Sequence, residues 1–252
     1  MSLSYPAPTL DNCDREPIHI PGAIQSHGAL LALDTAGTVR AASQNLKALL
    51  GFDAVAGQPV PAALLQADAR LAESLTEGLA ALAGTGDLPM PCELTLHGRT
   101  FDVVQHLSTP WLVVEFEERQ HSSDELAGFA FQAHRVMEKL RRPRGSINDL
   151  LQLATQELHA LTGFDRVMAY RFRPDSSGDV VAESRVPSLD AYVGRRYPAS
   201  DIPAQARKLY VANTLRLIAD IGSAPVPLVQ DFTEPLDLSA SLLRSVSPIH
   251  IE

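Results

Sequence analysis

The chain has 252 residues and a hydrophobic fraction of 45%, too apolar to stay disordered and long enough, at ~150 residues per domain, for one to two domains. Its 21 basic against 30 acidic side chains leave a formal charge of −9, which disfavours nonspecific nucleic-acid binding because phosphate contact needs a net basic face. Two cysteines, Cys13 and Cys92, are too few for a disulfide scaffold, no apolar run approaches the ~20 residues that cross a bilayer, and the start MSLSYPAPTLDNCD has no leader character, so a cytoplasmic protein with reduced thiols and no membrane or nucleic-acid partner is expected.

In chain order, ALLALD and TVRAA flank the turn-rich Asp34 to Gly37 and predict a hairpin. Leu71, Leu75, Leu79 and Leu82 recur at helical spacing. ELTLH and RTFDVV flank His97-Gly98 as a second hairpin, and Trp111 to Phe116 follows as a strand with Leu112, Val114 and Phe116 on one face. Strands, then helices, then strands predict an α+β fold of antiparallel sheets flanked by helices. The polar stretch Glu117 to Glu125, EERQHSSDE, is the expected junction. Beyond it Leu126, Phe129, Ala130, Ala133, Met137 and Leu140 form one helical stripe, which Pro143 and Gly145 break. Ser146 is placed to cap a second helix with an apolar face of Ile147, Leu150, Leu151, Ala154, Leu158 and Leu161, ending near Gly163. RVMAYRFR and DVVAES, separated by the turn-forming Pro174 to Gly178, predict an antiparallel pair. From Pro187 onward the pattern predicts mostly loops and short helices, and long irregular stretches in a compact domain are usually functional.

Several enzyme classes lack their motifs. There is no G-x-G-x-x-G, G-x-x-x-x-G-K-[ST] or G-x-S-x-G, which removes the usual dinucleotide, NTPase and serine-hydrolase machinery. Cys13, His19 and His27 run as C-x5-H-x7-H with Cys92 far downstream, which fits no short-spaced zinc pattern. No catalytic and no metal-ligating residues are assigned. The segment Tyr197 to Tyr210, YPASDIPAQARKLY, is a proline-held turn in which Pro203 can open a short helix; alone, an Asp at such an entry is worth under ~1 kcal/mol.

An upstream Cys, EPIHIPGAIQSHGALL, TGFDRVMAYRF, GDVVAESR, RRYPASDIPAQARKLY and LRSVSPIH occur in this order and cover essentially the whole chain. In these segments the sequence resembles the bacteriophytochromes, photoreceptors that carry biliverdin. The resemblance implies an N-terminal extension over 1–24, a PAS domain over 25–118 and a GAF domain over 119–252 that is incomplete at its C-terminus. It also implies a knot, with residues near Ile20 to Ile24 threading a loop of the GAF domain. The cofactor implied is biliverdin IXα, a linear tetrapyrrole held as a thioether to Cys13, whose charged surroundings distinguish it from an inert buried thiol. Cys92, between Pro91 and Glu93, matches no attachment point and is expected to be structural.

The remaining pigment contacts are also implied by resemblance. Arg216 and Arg244 match the positions that hold the propionates, for which a guanidinium fork is suited, with Tyr210 and Ser247 as neutral donors. Asp201 offers its backbone carbonyl to the pyrrole N–H groups, and His250 stands as their proton-exchange partner. Tyr170 and Tyr197 line the outer-ring pocket, a role compatible with ordinary core packing, and Ile202 and Pro203 pack on the pigment. The function implied is red/far-red light sensing without chemical turnover, relayed by a homodimer to PHY and histidine kinase domains or a response regulator of a longer parent. The family continues beyond SPIH into strands with a second pocket His and into a third domain whose Arg pairs with the Asp of PASDIP, so Asp201 is expected to lack that partner here. The competing expectation is a non-photochemical PAS/GAF regulatory module that binds another small ligand, such as a cyclic nucleotide, or serves dimerisation; Cys13 together with YPASDIP argues against it.

Overall fold

A computed structural model describes residues 13–142 and 145–248. In chain order its elements are a 3-10 turn Cys13–Arg15, β1 (Ala23–Ile24), β2 (Gly28–Leu33), β3 (Val39–Ser43), α1 (Leu46–Leu50), α2 (Ala62–Ala67), α3 (Ala69–Leu82), β4 (Cys92–Leu96), β5 (Arg99–Ser108), β6 (Trp111–Glu118), α4 (Ser123–Arg141), α5 (Ile147–Thr162), β7 (Arg166–Phe172), β8 (Gly178–Arg185), β9 (Arg196–Tyr197), α6 (Ala204–Ala212) and β10 (Val226–Gln230). They form two compact units. One comprises the described residues up to Arg119 together with those from Ala204 onward, and the other is Gln120–Pro203.

The first unit is built on an antiparallel sheet of order β1-β10-β3-β2-β6-β5-β4. Both predicted hairpins are present, β2 with β3 and β4 with β5, and the second turns through His97 and Gly98 in the left-handed region. All six residues of β2, GALLAL, are buried, as a strand covered on both faces requires. Ala29, Leu31 and Leu33 face one core with Leu112, Val114, Phe116, Leu71 and Leu75, which lies beneath α1 to α3. Leu30 and Ala32 face a second core with Ile24, Val113, Leu236, Leu238 and Leu243. The helix α3 starts at Asp68, whose carboxylate accepts from the N–H groups of Arg70 at 2.7 Å and Leu71 at 3.3 Å.

The region after Pro187 is mostly loops with the short helix α6, as expected, and also contains the short strands β9 and β10. In β10, Leu228, Val229 and Gln230 pair with Ser43, Ala42 and Ala41 of β3, while Val226 and Pro227 pair with Ile24 and Ala23. Pro227 marks the run as broken in sequence, yet its carbonyl still accepts from Gln44 N at 3.0 Å. Gly28 makes the second core possible: a Cβ there would meet the methyls of Leu243 at 2.6 and 2.7 Å and the carbonyl oxygen of Phe116 at 2.7 Å.

In the second unit, both helices begin with reciprocal capping boxes, Ser122 with Glu125 and Ser146 with Asp149, and α5 ends at the left-handed Gly163. The strands β7, β8 and β9 form a three-stranded antiparallel sheet against which α5 packs. The stripe predicted on α4 is largely not its buried face. Phe129 and Met137 stay 44% and 50% exposed, and Val136 is the buried residue, because α4 is held to α5 on another side that includes the ion pair of Lys139 with Glu157 at 2.7 Å. Among the described residues no helix is long and apolar enough to cross a membrane.

Candidate functional site

The stretch EPIHIPGAIQ, too broken by proline and glycine to form a helix, finds its hydrogen bonds in the C-terminal part of the first unit. Gly22 O accepts from Leu228 N at 2.9 Å, Ala23 O from Ser245 N at 3.2 Å, and Gln25 N donates to Leu243 O at 2.7 Å. Residues 22–25 therefore bond to two separate stretches, around 226–228 and 243–245. The buried Gln25 side chain adds to this. Its Nε2 donates to Leu217 O at 2.9 Å and Arg244 O at 3.3 Å, and its Oε1 accepts from Ala219 N at 3.0 Å.

Beside this junction lie the two arginines singled out in the sequence. Arg216 donates to the carbonyls of Leu242 at 3.3 Å, Arg244 and Ser245 at 3.1 Å. Arg244 is 7% exposed and donates through Nη1 to Ile18 O at 2.7 Å, while its Nε is buried without a hydrogen-bond partner among the described residues. Among the described residues neither guanidinium has a carboxylate within ion-pair distance, although the phenol of Tyr210 lies close enough to influence both. Burial and then the neighbouring Arg244 charge lower the Arg216 pKa to about 10, and burial lowers that of Arg244 as well. Both stay cationic at neutral pH. Paired cations with a spare buried donor are suited to an acidic ligand group. Ser247 donates to Glu16 at 2.5 Å, and the turn Cys13–Arg15 packs against α6, which carries Tyr210.

In the second unit, Tyr170 and Tyr197 are brought together with ring centroids 6.1 Å apart, and Phe172 stands edge-on to Tyr170 at 5.3 Å. Gly178 leaves the space the Tyr170 ring occupies, since a Cβ there would lie 2.1 Å from it. The strand connection is pinned by charge. Asp179 accepts from Arg171 at 2.7 Å and from Arg173 at 2.7 and 3.1 Å, and these bonds, Arg173 first, lower its pKa to about 2. Arg166 stacks 3.7 Å over the Tyr192 ring and pairs with Glu183 at 3.2 Å, fixing the loop that leads into β9. Asp201 is exposed, Ile202 half-buried and Pro203 buried, immediately before α6 begins at Ala204, which agrees with the expected proline-led helix start.

Of the predicted site residues, the side chain of Cys13 and all of His250 lie outside the described residues. Cys92 is a free thiol, half-buried against the first core. Among the described residues no group of three or more His, Cys, Asp or Glu side chains is placed to hold a metal. Sequence reasoning missed Gln25 and Glu115. Glu115 is 2% exposed and accepts from the Ser241 hydroxyl, from Leu242 N at 2.9 Å and from Leu243 N at 3.2 Å. Its signal was an acidic residue in the strand WLVVEFEE, whose apolar residues occupy both faces.

Comparison with known proteins gives consistent results. The PAS fold family matches residues 13–119. A bacteriophytochrome of Pseudomonas aeruginosa is 46% identical over 248 residues, covering 97% of this chain and 33% of the relative. A bacteriophytochrome of Xanthomonas campestris is 38% identical over 248 residues, covering 96% and 39%. The chain thus spans about a third of the length of these curated relatives. The crystal structure of the chromophore-binding domain of a Stigmatella aurantiaca bacteriophytochrome superposes with a TM-score of 0.82 at 40% identity, covering 95% of this chain and 80% of that one.

Proposed function

Since the chain belongs to the bacteriophytochrome family, we propose that it is the pigment-binding part of a red/far-red photoreceptor and that its pigment is biliverdin. The observation that carries this reading is the pair Arg216, half-buried, and Arg244, buried, without an acidic partner among the described residues and with Arg244 Nε unused among them. These donors fit the two propionates of a bilin. When bound, the conjugated tetrapyrrole supplies the light absorption and an isomerisable double bond.

The chain's own residues then have separable tasks. Arg216 and Arg244 hold the propionates, and the Tyr210 hydroxyl donates beside them. Ser247 joins them only by exchanging its Glu16 partner. The Asp201 carbonyl accepts from the pyrrole N–H groups, His250 exchanges their proton, and Ile202 and Pro203 exclude water. Tyr170 and Tyr197, already paired over Gly178, form a wall for the outer ring. The Cys13 thiol would hold the pigment covalently as a thioether to a vinyl group, an addition of S–H across the double bond that needs no oxidant. Residues near Ile20 to Ile24 are the thread of a knot through a loop of the GAF domain. The chain carries out no turnover; it acts as a homodimer and relays the signal to PHY and histidine kinase domains or a response regulator of a longer cytoplasmic parent.

The test is to mix the purified chain with biliverdin. A red-shifted absorption band is expected, together with pigment that remains on the denatured chain and is lost in Cys13→Ala, while the band itself survives that substitution. Absence of any band refutes the reading. A denaturation-resistant adduct in Cys13→Ala refutes the attachment site.

A further inference from the structure

The outward residues of β6 on the side of the second core are Val113, Glu115 and Glu117. A carboxylate buried in such a layer must be hydrogen-bonded, and all three donors to Glu115 come from one turn: the Ser241 hydroxyl and the backbone N–H groups of Leu242 and Leu243. The same turn gives its carbonyls away in the other direction. Arg216 takes those of Leu242, Arg244 and Ser245, and Gln25 takes that of Leu243 through its backbone and that of Arg244 through its side chain. The turn also carries Arg244 itself. Residues 241–245 are thus gripped through their N–H groups by the sheet and through their carbonyls by a guanidinium, so that a shift at Glu115 displaces one arginine and unseats the other.

We infer that Glu115 is a positioning residue for the carboxylates of the pigment, setting the turn on which both Arg216 and Arg244 depend. This rests on the proposed pigment-binding function. It adds that the geometry of the anion site is set from the strand β6 of the sheet, through a side chain that touches neither arginine by hydrogen bond among the described residues.

A role confined to folding would weaken every ligand equally, whereas positioning acts only on a ligand that presents carboxylates. The experiment therefore compares biliverdin with its dimethyl ester, titrated by absorbance into the chain carrying Cys13→Ala so that binding stays reversible. The parent should prefer the diacid by about tenfold or more, the equivalent of one charge-assisted contact. Glu115→Gln retains the volume but presents an amide N–H to one of the three donors, and should reduce that preference to about threefold or less with little change for the ester. Ser241→Ala, which removes one donor and leaves the carboxylate, should reduce it by a smaller factor and decides the matter if Glu115→Gln does not fold. An unchanged diacid preference in the variants, or an equal loss for both ligands, overturns the inference while leaving the pigment-binding reading intact. A parent that binds both ligands alike overturns the inference alone, and one that binds neither overturns the pigment-binding reading and the inference with it.

Discussion

Replacing Gly28 by Ala tests whether residues 236–243 are an integral layer of the first unit. Gly28 has no left-handed backbone, so an alanine costs nothing in conformation, and its effect must come from what the new methyl meets. That methyl would sit 2.6 and 2.7 Å from the two Leu243 methyls and 2.7 Å from Phe116 O. The carbonyl is fixed by the β2–β6 ladder, in which Ala29 pairs with Phe116, so Leu243 has to leave a site where it is 1% exposed. Overpacking of this kind costs about 1–3 kcal/mol. Leu243→Ala alone removes a buried side chain and should cost about 2–5 kcal/mol. In the double variant part of the clash is gone, so the two losses should fall short of additivity by about 1 kcal/mol. The assay is urea unfolding followed by the fluorescence of Trp111, the single tryptophan, whose ring lies 4.9 Å from Phe232 and 5.0 Å from the Arg40 guanidinium and so reports on this layer. A neutral Gly28→Ala, or strict additivity with Leu243→Ala, would refute the packing argument.

Two further expectations concern acid and helix ends. Burial lowers the His106 pKa from 6.5 to about 4 against the opposing pull of Asp237, and neither ring nitrogen has a hydrogen-bond partner among the described residues. A folded pKa below the unfolded one means that the unfolded chain takes the proton first, so this contribution is fully present above pH 6.5 and is lost as the pH falls towards 4, by up to about 3 kcal/mol. Burial raises the Glu115 pKa despite its bonds to Ser241, Leu242 and Leu243, and this slopes the other way above 4.5; the His106 share is therefore the difference between the parent and His106→Leu. The leucine variant should match or exceed the parent near neutral pH and lose stability less steeply in acid, and an unchanged acid limb in the Trp111 unfolding midpoints would disprove the assignment. For the second unit, Ser146→Ala removes the acceptor for Asp149 N at 3.2 Å and should cost about 1 kcal/mol, with Ser146→Asp recovering most of it in thermal melts followed by circular dichroism. Equal melting of the Ala and Asp variants would show that the cap contributes nothing.

The parts legible in sequence were those whose local chemistry and long-range packing agree. Alternation placed Leu112, Val114 and Phe116 in one core, the Leu71 and Leu75 stripe faced it, and Ser146 capped α5. The second core was hidden because its partners are about 200 residues apart and one of its strands contains Pro227. The α4 stripe misled for the opposite reason, since periodicity identifies an apolar face but not whether anything covers it. At the site, the motifs singled out Arg216 and Arg244 from the other arginines; no periodicity separates Arg216 from Arg207. Glu115 and Gln25 were invisible to motif reasoning because their partners are largely backbone groups, which carry no residue identity.

The two-sided burial of β2 and β6 also has a consequence during synthesis. All sheet strands up to Glu118 leave the ribosome together with the helices that cover one face, whereas the outer face awaits residues from Val226 onward, roughly a hundred residues later. At about 5–20 residues per second, the nascent chain carries Leu30, Ala32 and Val113 uncovered for roughly 5–20 seconds. During that interval it presents a flat apolar surface and a carboxylate without its partners, the kind of intermediate that chaperones retain and that ribosome stalling would deliver to aggregates.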